Sequence, residues 1–234
     1  MTNQTERENL AERLAVGTYR AGGFVVGNFT LTSGLASKYY INLRPILSWR
    51  EATNDQRKEL VHDIVNGYLF LLENYVGLDN MDIVLSIPKA SQMYAGAFSY
   101  ATGISVGYVE DLKGHGIQTY VEGFLRDGDR IVLLDDLITT ARSKKDALDK
   151  VEKQAQQDGI NVTSENVAVL FDRMQGGIEE LTKHRSPISP NGVRVHSLIT
   201  ALDMLEILYG NRLITYDEYQ TTKDYIVDPP KLNP

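Results

Sequence analysis

Three observations in the sequence predict an α/β fold with a central parallel sheet of about five strands flanked by helices. Short apolar runs, namely Met81 to Ile87, Ile104 to Val109, Ile131 to Leu134 and Asn166 to Phe171, alternate with stretches of helical period. The run Ile131 to Leu134 has no polar face, the pattern of a strand buried on both sides. Polar loops follow Ile87, Val109, Leu134 and Phe171. They fall together on the carboxyl rim of the sheet, where open α/β sheets bind ligands.

In chain order, Thr5 to Arg20 reads as an amphipathic helix with Leu10, Ala11 and Leu14 on one side, ending at Gly22-Gly23. Phe29 to Thr32 and Lys38 to Arg44 alternate around Ser33-Gly34, the pattern of a hairpin. Asn54 to Tyr75 carries a helical stripe of Val61, Ile64, Val65, Tyr68, Leu71, Leu72 and Tyr75. A strand over Met81 to Ile87 then leads through the loop Pro88 to Gln92 into a helix of small residues, Met93 to Ala101, and a strand over Ile104 to Val109. Glu110 to Asp129 is glycine-bearing and polar, and loops of that length within a compact domain are often functional, so a lid is expected there.

The central stretch is IVLLDDLITTARSKK, Ile131 to Lys145. Asp135 and Asp136 stand where the strand is expected to stop, and the hydroxyl loop Thr139 to Ser143 follows. Ser143 is the expected N-cap of a helix with Ala147, Leu148, Val151 and Ala155 on its apolar face. Free N–H groups at a helix start, with nearby hydroxyls, suit a phosphate. Adjacent carboxylates repel phosphate and suit a polyhydroxyl sugar or a hydrated divalent cation. After Phe171 comes the charged loop Asp172 to Gly177; Val193 to His196 is a short strand, and Ser197 to Tyr209 and Tyr216 to Ile226 are helices.

Composition bounds the chemistry. The 234 residues suit one domain, and 42% hydrophobic with 24% charged residues is ordinary for a globular chain. A polar N-terminus and the lack of a long apolar run predict a cytoplasmic protein. With no cysteine, disulfides, zinc thiolate sites and thiol nucleophiles are excluded. A net charge of -7 argues against general nucleic-acid binding. There is no G-x-x-x-x-G-K-[ST] phosphate loop and no Ser/His/Asp grouping, so the site calls for charge stabilisation more than a nucleophile.

LLDDLITTARS resembles the phosphoribosyl pyrophosphate (PRPP) signature of the type I phosphoribosyltransferases. FTLTSGLASKYYINLR, DLKGHG, VLFDRMQGG and the closing VHSLITALDMLEIL resemble, in the same order, segments of the orotate phosphoribosyltransferase family. The resemblance covers nearly the whole chain. It implies a single phosphoribosyltransferase domain over 1–234, with a core over about 51–197 and a small hood from about 1–50 and 198–234. It also implies a homodimer that transfers the phosphoribosyl group of PRPP to orotate, with Mg²⁺ carried on the pyrophosphate through PRPP and water.

By the same resemblance, Asp135 and Asp136 hold the ribose hydroxyls, and Thr139, Thr140, Ala141, Arg142 and Ser143 cradle the 5′-phosphate. Lys113 and His115 belong to a lid that reaches the neighbouring subunit's site, and Arg173 pairs with the orotate carboxylate. Tyr40 and Ile41 flank the pyrimidine, while Lys89, Ala90 and Ser91 line the pyrophosphate side. The departures remove positive charge. Val109, Glu110 and Asp111 replace the Arg-Lys-Glu of the family's loop, Thr32 replaces a lysine in the substrate-binding set, and Ala141 replaces a glycine. Arg142, Lys144 or Lys145 are the nearby cations that can compensate, and spacing does not choose among them. The alternative reading is a non-catalytic relative that binds PRPP or a nucleotide as a sensor. His62, His184 and His196 have no partner pattern and no assigned role.

Overall fold

A computed structural model describes residues 3–30, 36–112 and 119–228 of the chain. In chain order its elements are α1 (Asn3–Arg20), β1 (Phe24–Thr30), β2 (Ala36–Ile41), α2 (Asn54–Leu71), β3 (Ile83–Ser86), α3 (Ala90–Thr102), β4 (Val106–Val109) and β5 (Val121–Glu122). They continue with β6 (Arg130–Ile138), α4 (Arg142–Asp158), β7 (Thr163–Asp172), α5 (Gly177–Thr182), β8 (Arg194–Thr200), α6 (Ala201–Gly210) and α7 (Tyr216–Val227). The chain divides into two compact units, Met1–Ile64 with Ile199–Pro234, and Val65–Leu198.

In the first unit β1 and β2 form an antiparallel ribbon, with Phe24 opposite Ile41 and Val25 opposite Tyr40. The adjacent tyrosines take opposite faces, as the two-residue strand period requires. Tyr39 is buried against Phe24 and Tyr225, while Tyr40 is 40% exposed and lies beside Phe29. Capping boxes start both closing helices: Thr200 with Asp203 at α6, and Thr215 with Glu218 at α7. The α6 box corrects the helix expected from Ser197. Ser197 to Thr200 continue β8 instead, and the chain turns helical only where Thr200 and Asp203 can exchange hydrogen bonds.

The second unit is an α/β layer structure. Its six-stranded sheet has the order β5-β4-β3-β6-β7-β8. β3 pairs in parallel with β4 and β6, and β6 in parallel with β7. β5 is a two-residue antiparallel partner of β4, too short to carry any period in the sequence. Ile83, Leu85, Ile131, Leu133, Val167 and Val169 belong to a core cluster with Ala147, Leu148, Val151 and Ala155 of α4. Burying side chains of this kind contributes roughly 1.5 to 3 kcal/mol each for the larger ones.

Two further boundaries differ from the sequence reading in ways that bear on the site. The central strand does not stop before the acids: Asp135 pairs with Val169 and Ile138 with Asp172, so both carboxylates are strand residues. Helix α4 starts at Arg142 with Ala141 as N-cap and no side-chain cap, so Ser143 lies inside the first turn. Ala141 has φ -73° and ψ -7°, ordinary right-handed backbone, so the residue that replaces a family glycine is unstrained.

Candidate active site at the end of the central strand

The two-residue period of β6 separates the acid pair. Asp135 follows Ile131 and Leu133 onto the face covered by α4, and Asp136 follows Val132 and Leu134 onto the other. Asp135 is only 5% exposed. Its Oδ1 accepts from the Asp136 N–H (2.9 Å) and its Oδ2 from Lys144 Nζ (2.5 Å). Asp136 is half-buried, and its Oδ1 accepts from the Leu137 N–H (3.0 Å).

The environments of the two acids differ. Protein closes round the Asp136 carboxyl closely enough that burial, followed by the charge of Asp135, pushes it up to about 8, while Lys144 and the Leu137 N–H act in the opposite sense. Tyr68 and Tyr94 lie within the electrostatic reach of Asp136; both are fully buried and held above the usual tyrosine range, first by burial and then by the acid's charge. The Tyr68 hydroxyl donates to the Asp135 carbonyl at 3.2 Å.

The hydroxyl loop, where a phosphate is expected, follows directly. Thr139 is half-buried, Thr140, Arg142 and Ser143 are exposed, and Ala141 is fully buried. The first turn of α4 carries no acid and three bases, Arg142, Lys144 and Lys145. Cations there oppose the helix dipole, an arrangement that suits an anion in front of the helix better than it suits the helix itself. The three bases separate by function. Lys144 is buried on Asp135, Lys145 pairs with Glu180 at 2.5 Å, and Arg142 is exposed at the loop.

The other loops of the rim are placed with equal definition. Arg173, just after β7, is 5% exposed, and its backbone N–H donates to the Ile138 carbonyl at 2.9 Å. A burial push raises the Asp172 carboxyl beside it. Gly177 packs so closely that a Cβ there would stand 2.5 Å from the Thr139 carbonyl oxygen; the Asp172 to Gly177 loop is thus fitted against the hydroxyl loop. After β3, Lys89 is exposed, but Ala90 and Ser91 are buried in the first turn of α3, and the Ser91 hydroxyl donates to the Ile87 carbonyl.

The expected lid residues Lys113 and His115, together with Thr32, lie outside the described residues. The chain on either side of 113–118 is anchored. Val109 is buried and pairs with Val121, and the Glu110 N–H donates to the Tyr120 carbonyl at 2.9 Å. Asp111 meets Lys150 at 2.6 Å, and Gln154 Oε1 accepts from the Tyr120 N–H (2.8 Å) and Thr119 Oγ1 (2.9 Å). Two of the positions where cations were expected are thus a ladder residue, Val109, and the carboxylate Glu110 beside it. In the first unit, Tyr40 shows its ring to solvent, while Ile41 is 3% exposed. His196 also has partners: Nε2 is 3.0 Å from Asn166 Oδ1 and the ring stacks on Tyr75.

The acid pair does not fit a directly ligated divalent cation. Both Asp135 oxygens have internal partners, burial and the charge of Asp135 raise the Asp136 carboxyl and so disfavour its anion, and the described residues contain no group of three or more acidic, histidine or cysteine side chains able to hold a metal. Sequence reasoning named Lys144 only as one of three cations that can compensate for lost charge and missed its pairing with Asp135, and it missed Tyr68 and Gly177 as parts of the site. The signal for Lys144 was present: it occupies the position preceding Ala147 and Leu148 on the apolar stripe of α4, where a lysine is out of place. No helix among the described residues is long and apolar enough to cross a membrane.

No family profile matches the chain. Individual relatives do. An orotate phosphoribosyltransferase of Staphylothermus marinus is 30% identical over 220 residues, which cover 94% of this chain and 96% of that one. The structure of Leishmania donovani UMP synthase superposes with a TM-score of 0.72 at 23% identity, covering 94% of this chain and 42% of that one. The crystal structure of orotate phosphoribosyltransferase from Aeropyrum pernix gives a TM-score of 0.60 at 23% identity, covering 84% and 99%. These two structures share the fold, and the Staphylothermus relative is matched along nearly its whole length. On that match, and with its acid-ended strand leading into a hydroxyl loop and helix, the chain belongs to the orotate phosphoribosyltransferase family.

Proposed function

We propose that the chain transfers the phosphoribosyl group of PRPP to orotate, forming orotidine 5′-monophosphate and pyrophosphate in pyrimidine biosynthesis. The observation that carries this reading is the corner where β6 meets α4, a half-buried acid followed within one loop by a basic helix start. Orotate N1 forms its bond to C1′ as the C1′–O bond breaks, and the electron pair leaves on pyrophosphate. Positive charge grows on the ribose ring as that bond stretches, and a carboxylate beneath the ring stabilises it.

In this reading Asp136, the more exposed acid, takes the ribose hydroxyls. Asp135 acts from below through its charge. Thr139 to Ser143 and the N–H groups at the start of α4 hold the 5′-phosphate, with Arg142 as the exposed cation beside it. Arg173 offers the orotate carboxylate a planar fork, and Lys89 faces the pyrophosphate. PRPP is taken as its magnesium complex, so the ion arrives with the substrate. A homodimer in the cytoplasm, with Lys113 and His115 on a lid that serves the neighbouring subunit, completes the proposal.

The test follows orotate absorbance with the purified protein, PRPP and Mg²⁺. The expected result is PRPP-dependent loss of orotate that disappears in Asp135→Asn/Asp136→Asn. If orotate stays unchanged while PRPP still raises the melting temperature, transfer is refuted and a PRPP sensor takes its place.

A further inference from the structure

Lys144 is the most deeply buried cation of the site, with its side chain 3% exposed. An ammonium has three N–H donors, and Lys144 Nζ lies within hydrogen-bond reach of three oxygens. They are Asp135 Oδ2 at 2.5 Å, the Leu137 carbonyl at 2.6 Å and, more weakly, Ser143 Oγ at 3.4 Å. One cation thus joins an acid of β6, the entrance of the phosphate loop and the first turn of α4.

Stability alone is a poor reason to keep a lysine there. Removing a buried ion pair in favour of apolar side chains is often neutral or stabilising, and the neighbouring stripe of Ala147, Leu148 and Val151 would extend naturally into a leucine or methionine. A cation in the first turn also opposes the helix dipole. What the lysine does supply is charge and geometry at Asp135.

We infer that Lys144 is a positioning residue for the acid pair, holding the Asp135 side chain in one orientation through their ion pair so that Asp136 can become the ribose-binding anion. The inference rests on phosphoribosyl transfer at this corner and deepens it. Facing groups come from every neighbouring element. Tyr68 of α2 and Tyr94 of α3 lie on the Asp136 side. β7 ends alongside in Asp172, with Arg173 just after it, and β3 ends in the uncharged Ser86, with Ile87 just after it. Of these, Lys144 is the group whose charge draws Asp136 down from the high value that burial and Asp135 impose. Without it, two buried carboxyls share one site and take up a proton at higher pH.

The experiment measures kcat/KM for PRPP at saturating orotate between pH 6 and 10, for the wild type and Lys144→Met. In the wild type the rate rises as Asp136 loses its proton. In the variant that midpoint is expected to move up by about one pH unit or more, with kcat at pH 7 down by about tenfold and KM for orotate unchanged. A folded variant with reduced kcat but the wild-type midpoint would overturn the inference, because a purely structural lysine does not set the pH profile. If the variant does not fold, ¹⁵N-lysine NMR of the wild type decides. A Lys144 signal that shifts with the titration of Asp136 supports the role, and one that ignores it overturns it. A wild type without any turnover would refute phosphoribosyl transfer instead, and the NMR titration would still report on the pair.

Discussion

Replacing Asp136 by asparagine is expected to make the protein more stable and less active, and the stability gain is expected to depend on pH. The native carboxyl is pushed up to about 8, first by burial and then by Asp135, against an ordinary aspartate value of 3.8. Below pH 4 both folded and unfolded chains carry the proton, and the site costs nothing. Between pH 4 and 8 the unfolded chain ionises while the native chain keeps its proton, so stability falls as pH rises; above 8 the cost is constant. Moving the carboxyl from 3.8 to about 8, at about 1.4 kcal/mol per decade, corresponds to roughly 6 kcal/mol. Asparagine still accepts from the Leu137 N–H but buries an additional NH₂ group, at a cost of about 1 to 3 kcal/mol. The net gain at pH 8.5 is therefore about 3 to 5 kcal/mol, or roughly 6 to 20 °C in Tm for a chain of this size. Calorimetry of both proteins at pH 4.5, 7 and 8.5 checks this. A difference in Tm that stays the same at all three pH values, or a wild type that is the more stable at 8.5, would refute the reasoning.

Two other substitutions test the surroundings of the site. Gly177→Ala places a Cβ 2.5 Å from the Thr139 carbonyl and 2.8 Å from an Ile138 side-chain carbon, so the hydroxyl loop must move. The expected cost is about 1 to 3 kcal/mol in urea unfolding, with a raised KM for PRPP; unchanged values of both would show that the fit is not tight. Gln154→Leu removes the acceptor of the Tyr120 N–H and the Thr119 hydroxyl. A loss of about 1 to 3 kcal/mol is expected, with faster hydrogen exchange at the Tyr120 amide, and wild-type exchange there would argue against the anchor.

Much of the sheet was legible because apolar runs buried on both faces leave an unambiguous trace, as at Ile131 to Leu134. Its extension through Asp135 to Ile138 was not, because an acid inside a buried strand is interpretable only once its counterion is known. That counterion, Lys144, is nine residues away on the next helix. The hydroxyl loop and the basic helix start stand in the sequence in plain order. The division of labour among Arg142, Lys144 and Lys145 does not, since it depends on the helical rotation that buries one, pairs another with Glu180 and leaves the first exposed. The start of α6 was misread for a related reason: Leu198 and Ile199 suit a strand or a helix, and only the exchange between Thr200 and Asp203 selects the boundary.

Helix α4 spans 17 residues, or about 25 Å. At its head lies the hydroxyl loop; about two and three turns further on, Lys150 and Gln154 grip the two strands of chain that flank 113–118. Both attachments are made to a single rod, and the sheet side of that rod includes the small residues Ala147 and Ala155. A bulkier residue at either alanine would lift the rod and misplace both attachments together. Loss of activity from such a change would therefore look like damage to two distant parts of the catalytic cycle, although it would arise from a few ångströms of lever movement in between.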